Sequence, residues 1–170
     1  MPVLGIDIGL TGAVALLDND GKLLAVDDMP VLADGPAKRR TINPALLTEI
    51  IYKHRAEIAY VELVGPRPGE GAVGAFAFGR SRGIVEGVLA ACGVPIKLVT
   101  PAHWKRIVGL PPGEAKDLAR SAALKRWPTW AEAFARIKDH GRAEACLIAV
   151  AGITVFNGPG SPLKRNEPVG

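Results

Sequence analysis

Cysteine is nearly absent from this chain: Cys92 and Cys146 are the only two in 170 residues. Neither has a CxxC neighbour or a local histidine cluster, which excludes a disulfide framework and a thiolate metal site. Both sit in apolar helical patterns and read as small core residues, fitting a reducing compartment. Long apolar runs are missing too, so no segment approaches a membrane span. The first strand signal begins at Val3, leaving no room for a signal peptide. The expectation is a soluble, cytoplasmic protein with no membrane partner. Negative charge is in deficit, with 17 Asp and Glu against 21 Lys and Arg, a formal +4 and a pI near 9.3. That excess tilts toward a nucleic-acid partner only weakly. Its distribution matters more, with Lys38-Arg39-Arg40, Arg80 and Arg82, Lys105-Arg106 and Lys116 as the basic candidates.

What is present is one domain's worth of chain, enough to bury a core without a disulfide or a structural metal. Val3 to Ile8 reads as a strand, Gly9 to Gly12 as a tight turn, and Ala13 to Leu17 as a second strand. Asn19-Asp20-Gly21 is a hairpin signal leading to a third strand over Lys22 to Asp28, because these residues tolerate positive φ. A polar loop through 33–43 leads to a helix from Pro44 to Arg55, capped by Asn43. Ile58 to Val64 is a fourth strand. The Gly- and Pro-rich stretch from Gly65 to Gly74, which holds Arg67, reads as a mobile loop.

Residues 75–92 read as a helix bearing Ala75, Gly79, Gly83, Gly87 and Ala91 on one ridge. Each interior glycine costs roughly 1 kcal/mol relative to alanine, so the ridge needs a close approach by another element. Two readings stay open: packing on the protein's own sheet, or a two-fold dimer contact. Val94 to Val99 is a fifth strand, Thr100-Pro101 opens a short helix to Val108, and further helices span Glu114 to Arg126 and Gly141 to Val155. The element order predicts an α/β fold with helices on both faces of a five-stranded mixed sheet, three antiparallel strands then two parallel. Residues 1–155 form the expected domain and 156–170 a flexible tail.

Charged and imidazole side chains set into apolar surroundings are the main functional signal. Asp7 lies in Val3-Leu4-Gly5-Ile6-Asp7-Ile8-Gly9 and Glu62 in Ile58-Ala59-Tyr60-Val61-Glu62-Leu63-Val64. A carboxylate in a buried strand needs a metal or a cationic partner. Strand alternation puts Asp7, near the middle of its strand, on one face with Gly5 and Gly9, and Leu4, Ile6 and Ile8 on the other. In the last helix Glu144 shares the inward stripe with Leu147, Ile148 and Ala151. His140 precedes Glu144 by one turn and Asp139 stands at the helix entrance. The plainer alternatives are a helix cap for Asp139, a hydrogen-bonded structural imidazole for His140, and a buried ion pair for Glu144.

The ordered set Gly5-Ile6-Asp7-Ile8-Gly9, Val61-Glu62, Phe78 to Gly87, Val99 to Lys105, and Asp139-His140-Gly141-Arg142-Ala143-Glu144-Ala145 resembles the RuvC-type Holliday junction resolvases. These belong to the ribonuclease H-like nuclease superfamily, and the short phage-like versions are the most similar. The resemblance runs to about Gly152. It implies a ribonuclease H-like fold and an endonuclease that resolves four-way DNA junctions by paired phosphodiester hydrolysis, with other branched DNA as further substrates. It also implies a homodimer, in a bacterial cell or encoded by a phage. Asp7 and Glu62 would be the strand ligands and Glu144 the terminal acid. The family's second acid or histidine commonly stands three residues before that last acid. Here that position is Gly141, so the role passes to His140 or Asp139.

The implied cofactor is a pair of Mg2+ ions, replaceable by Mn2+, about 4 Å apart, held by carboxylate oxygens. Lys105 and Lys116 match the family's functional lysines and would contact the DNA backbone, with Arg67, Arg80 and Arg82 as further contacts. Phe76 and Phe78 are candidates for stacking on bases, with core packing as the plain alternative. Trp104, Trp127 and Trp130 read as packing residues. Three other readings compete: a YqgF-like nuclease processing structured RNA, a noncatalytic junction-binding protein, and an actin-like ATPase. The last needs two such domains.

Overall fold

Strand and turn signals in the first 28 residues produce a meander: β1 (Val3–Asp7), β2 (Ala13–Leu17) and β3 (Leu23–Asp28), paired antiparallel in sequence order. The structure is a computed structural model and describes residues 1–33, 39–65, 69–113 and 116–157. The β2–β3 turn is held by Asp18, whose Oδ1 accepts from Asp20 N and Lys22 N, while Gly21 takes φ +79°. That left-handed conformation is the reason for glycine there. A five-stranded sheet then forms in the order β3-β2-β1-β6-β7, with β6 (Ile58–Glu62) parallel to β1 and β7 (Ile96–Val99) parallel to β6. This is the mixed sheet expected from the element order, with helices on both faces.

The structure departs from the sequence expectation at several places. The stretch expected to be a polar loop carries a small hairpin, β4 (Val31–Ala33) with β5 (Arg40–Ile42). Thr41 and Ile42 of β5 are buried, which three-residue strands next to an Arg run do not advertise. Asp7 is the last residue of β1 rather than near its middle, so its half-buried side chain stands at the carboxyl end of the central strand. The last helix runs to Asn157, two residues into the tail expected over 156–170, and the remaining 158–170 lie outside the described residues.

Helices cover the sheet according to strand alternation. Leu4, Ile6 and Ile8 pack with Leu47 and Ile51 of α1 (Pro44–His54) and with Val85, Val88 and Leu89 of α2 (Ala72–Ala91). Asn43 caps α1, accepting from Ala45 N and Leu46 N, and Pro44 follows at its first position. On the opposite face lies α5 (His140–Asn157), supported by α3 (Pro101–Ile107) and α4 (Lys116–Arg126). Two 3-10 segments, Pro128–Phe134 and Ile137–Asp139, lead into α5. No described helix is long and apolar enough to cross a membrane. Cys146 is fully buried in α5 and burial pushes its thiol up; both cysteines are free.

The seat of α5 depends on small residues. A Cβ at Gly5 would overlap the Ala145 carbonyl and lie 2.5 Å from Ala149 N. One at Gly152 would run into the Tyr60 ring, and one at Gly141 would overlap Thr11 O and lie 2.8 Å from Gly12 Cα. The helix therefore crosses β1 almost backbone to backbone, seats Gly152 on the Tyr60 ring of β6, and sets its first turn against the β1–β2 turn. The glycine ridge of α2 behaves in the opposite way: Gly79, Gly83 and Gly87 are exposed, with no atom within 4 Å of a Cβ at any of them. Close packing on the protein's own sheet is thus not what that ridge serves.

Candidate metal centre and nucleic-acid face

The acidic candidates assemble through register. Gly5 pairs with Tyr60 and Ile6 with Val61 across the parallel β1–β6 ladder, so the next step sets Asp7 beside Glu62. Gly5 and Tyr60 both face α5, and residues two further along each strand share that face. Asp7 and Glu62 therefore stand side by side at the carboxyl ends of adjacent parallel strands, under the beginning of α5. Ala145 lies over Gly5 and Gly141 against Thr11 and Gly12, which brings His140 and Glu144, in the first turns of α5, to this same edge. Position 141 has no room for a side chain. Glycine at 141, where the resemblance implied an acid or histidine, is a packing requirement of this chain.

Neutral donors make two of the bonds that orient these carboxylates. Gly9 N donates to Asp7 Oδ1 at 3.1 Å, and Gly12 N to Gly9 O at 2.9 Å, so the turn closes back on the acid. A Cβ at Gly12 would lie 2.9 Å from Asp7 Cγ, so glycine there leaves the carboxylate its space. Glu62 Oε1 accepts from Trp104 Nε1 at 2.8 Å, a donor that the sequence reading had treated only as packing. Indoles buried in a core need an acceptor, so Thr100-Pro101 helix entry beside an acidic strand end was the available signal.

Asp139 and His140 part company. The Asp139 carboxylate is buried and accepts from Arg136 N at 2.9 Å and from its guanidinium at 2.8 to 3.2 Å. The Arg136 hydrogen bonds hold its carboxyl below the usual range. Arg142 stands 3.8 Å from the same carboxylate and binds Asp28 with both guanidinium arms at 2.6 and 2.7 Å, which lowers Asp28 as well. The Arg142–Asp28 pair fastens the first turn of α5 to the end of β3, and the Arg136–Asp139 pair closes the 3-10 turn that precedes it. His140 Nδ1 faces Ile137 O at 3.2 Å. A carbonyl can only accept, so Nδ1 carries the proton and a neutral ring presents its lone pair at Nε2.

Among the described residues no three His, Cys, Asp or Glu side chains converge to metal-holding distance. The donor chemistry nonetheless suits a hard divalent cation: three carboxylates from separate elements and one imidazole at an accessible sheet edge.

The basic and aromatic candidates spread over several elements. Lys105 donates to Gly113 O at 2.5 Å and lies 5.4 Å from the Trp104 ring centre. Lys116 begins α4, and Arg67 and Lys38 fall outside the described residues. Arg82 pairs with Glu86 one turn on at 2.6 Å, and Arg80 is exposed on α2. Phe76 is 75% exposed, whereas Phe78 packs partly against the α1–α2 core. Stacking on a base is open to the first as it stands. A cavity of about 220 Å³ just past Asp7 is lined by Ile8, Leu10, Phe78 and Arg40, which brings the Arg39-Arg40 hairpin to the same end of the sheet.

No protein-family profile matches the chain. Over 109 residues it is 32% identical to "Holliday junction resolvase MOC1, chloroplastic" of Chlamydomonas reinhardtii. The match takes in 63% of this chain and 12% of that protein, so the chain corresponds to a small part of its relative. Among solved structures, T. thermophilus RuvC in complex with Holliday junction substrate is similar at a TM-score of 0.69 and 20% identity, over 93% of this chain and 97% of that one. A second Thermus thermophilus RuvC structure is similar at 0.52 and 20% identity, over 91% and 95%. The fold is that of the RuvC-type resolvases, ribonuclease H-like, as the ordered motifs implied.

Proposed function

We propose that this chain is a divalent-cation-dependent endodeoxyribonuclease that cuts branched DNA, four-way junctions above all, as a homodimer. The observation that carries the proposal is the parallel β1–β6 register, whose next step sets Asp7 beside Glu62, beneath the α5 turns bearing His140 and Glu144. The match to a junction resolvase in sequence and to RuvC in fold supports the choice of substrate.

Asp7, Glu62 and Glu144 would hold Mg2+ or Mn2+, with His140 Nε2 as the fourth donor. Asp139 serves instead to orient the helix entrance through Arg136, since its carboxylate already accepts several hydrogen bonds. When bound, a pair of such ions lowers the pKa of a water and stabilises charge on the leaving oxygen of a phosphodiester. The protein's own part is positional. The β1–β2 turn and Gly9 N fix Asp7, the Arg136–Asp139 and Arg142–Asp28 pairs fix the start of α5, and Lys105, Lys116, Arg67 and Arg80 draw the phosphate backbone toward the acids. Arg82 of α2, paired with Glu86, supplies a further phosphate contact, and Phe76 stacks on an unpaired base at the branch.

The dimer contact runs along α2. Gly79, Gly83 and Gly87 form an exposed ridge that lets a second helix backbone approach, and an isologous contact repeats one patch on both subunits. Two active sites then face two strands of the junction.

Cleavage of labelled four-way junction, fork, linear duplex and RNA hairpin, each with Mg2+, Mn2+ or EDTA, tests the proposal. Paired symmetric nicks in the junction are expected, lost with EDTA and in Asp7→Asn, while junction binding persists. Cleavage confined to RNA moves the assignment to RNA processing, and tight junction binding without cleavage leaves a binding module.

A further inference from the structure

Glu62 ends β6 beside Val99 of β7, and Thr100 immediately caps α3 by accepting from His103 N. The strand-to-helix step is so short that the fourth residue of α3 comes back over the end of β6. That residue is Trp104, which has no exposed surface and belongs to the core between α5 and the sheet. Its indole Nε1 reaches Glu62 Oε1 at 2.8 Å. Among side chains able to hold a carboxylate, the indole has a particular property: it donates one hydrogen bond, accepts none and carries no charge. A lysine or arginine in its place would orient Glu62 and also neutralise it, competing with any cation the carboxylate is meant to hold. The indole fixes the carboxylate while leaving its full charge.

We propose that Trp104 is a positioning residue for the cation site, holding Glu62 on the face it shares with Asp7 through the Nε1–Oε1 hydrogen bond. This rests on the cation-site reading above. Partners that orient ligands from outside the coordination sphere typically contribute 10- to 100-fold to metal affinity, so a loss of about that size is expected when the N–H is removed.

Mn2+ binding to the intact chain, followed by paramagnetic resonance of the free ion, separates the two claims. Trp104→Phe keeps an aromatic ring and deletes the donor, and should weaken Mn2+ binding roughly 10- to 100-fold, with a matching rise in the Mn2+ needed for junction cleavage. In a Glu62→Ala background, which removes the acceptor and the ligand together, the same change should produce no further loss, because its route of action is gone. Equal Mn2+ affinity in Trp104→Phe and the parent overturns the positioning role and leaves the cation site standing. A further full loss in the Glu62→Ala background overturns it too, since the effect would then pass through packing. A parent chain that binds no Mn2+ overturns the cation-site reading itself, and the role of Trp104 with it. The Trp104 indole 1H–15N resonance of the unmutated protein, titrated with Mg2+, gives a second measure that needs no Trp104 variant. It should move in the parent and stay fixed in Asp7→Asn; an unmoved resonance in a parent that binds the ion refutes the proposal.

Discussion

Adding one methyl group to the first strand should disable the site without touching any acidic residue. In Gly5→Ala the new Cβ would overlap the Ala145 carbonyl and lie 2.5 Å from Ala149 N and 2.8 Å from Ala149 Cβ. Restoring ordinary van der Waals separation of 3.4 Å to Ala149 N alone requires about 0.9 Å of movement. Two of these three obstacles are backbone of a buried helix and the third is a Cβ fixed directly to it, so no side chain can swing aside, and α5 must lift from the sheet as a body. Overpacking of this kind costs about 1–3 kcal/mol, and a backbone clash belongs at the upper end. For a chain of this length that lowers Tm by roughly 6–12 °C. The same lift carries His140 and Glu144 away from Asp7 and Glu62. A misplacement of about 1 Å at a reacting centre can cost 100-fold in rate. Thermal unfolding and junction cleavage, measured side by side below the variant's melting range, check both effects. An alanine variant with the parent's Tm and cleavage rate would refute the close crossing of α5 over β1.

Further outcomes follow from the same geometry. Gly141→Asp, which would place an acid three residues before Glu144, should lower stability by about 2–3 kcal/mol and fail to raise metal affinity, because its Cβ meets Thr11 O and Gly12 Cα; melting and Mn2+ binding are the checks. Asp139→Asn should flatten the acid limb of stability. The Arg136 bonds lower the folded pKa of Asp139 below 3.8, so its contribution is present above that value and is lost as pH falls through the folded pKa. The parent's advantage in Tm over the variant should therefore hold at pH 7 and shrink below about pH 4. Gly83→Glu should leave the monomer's helix intact, since nothing lies within 4 Å of its Cβ, yet shift sedimentation from dimer to monomer and abolish paired nicking; an unchanged dimer would remove the α2 ridge from the interface.

The acids were legible before any fold was known because a carboxylate in an apolar run is physically expensive. Asp7, Glu62 and Glu144 announced themselves by that expense, and the meander, the parallel strands and the central helix followed from residue periodicity and from Asn, Gly and Pro at turns and caps. Those are local properties, encoded within a few residues of one another. Contacts between distant segments carry no such signature. Which way the α2 glycines face, why position 141 must be glycine, that Arg142 is tied to Asp28 from 114 positions away, and that a core tryptophan holds Glu62 from 42 positions away were decided only in the tertiary structure. A pattern in sequence can mark a residue as costly or small. The arrangement of separate elements in space decides what offsets the cost and what fills the gap.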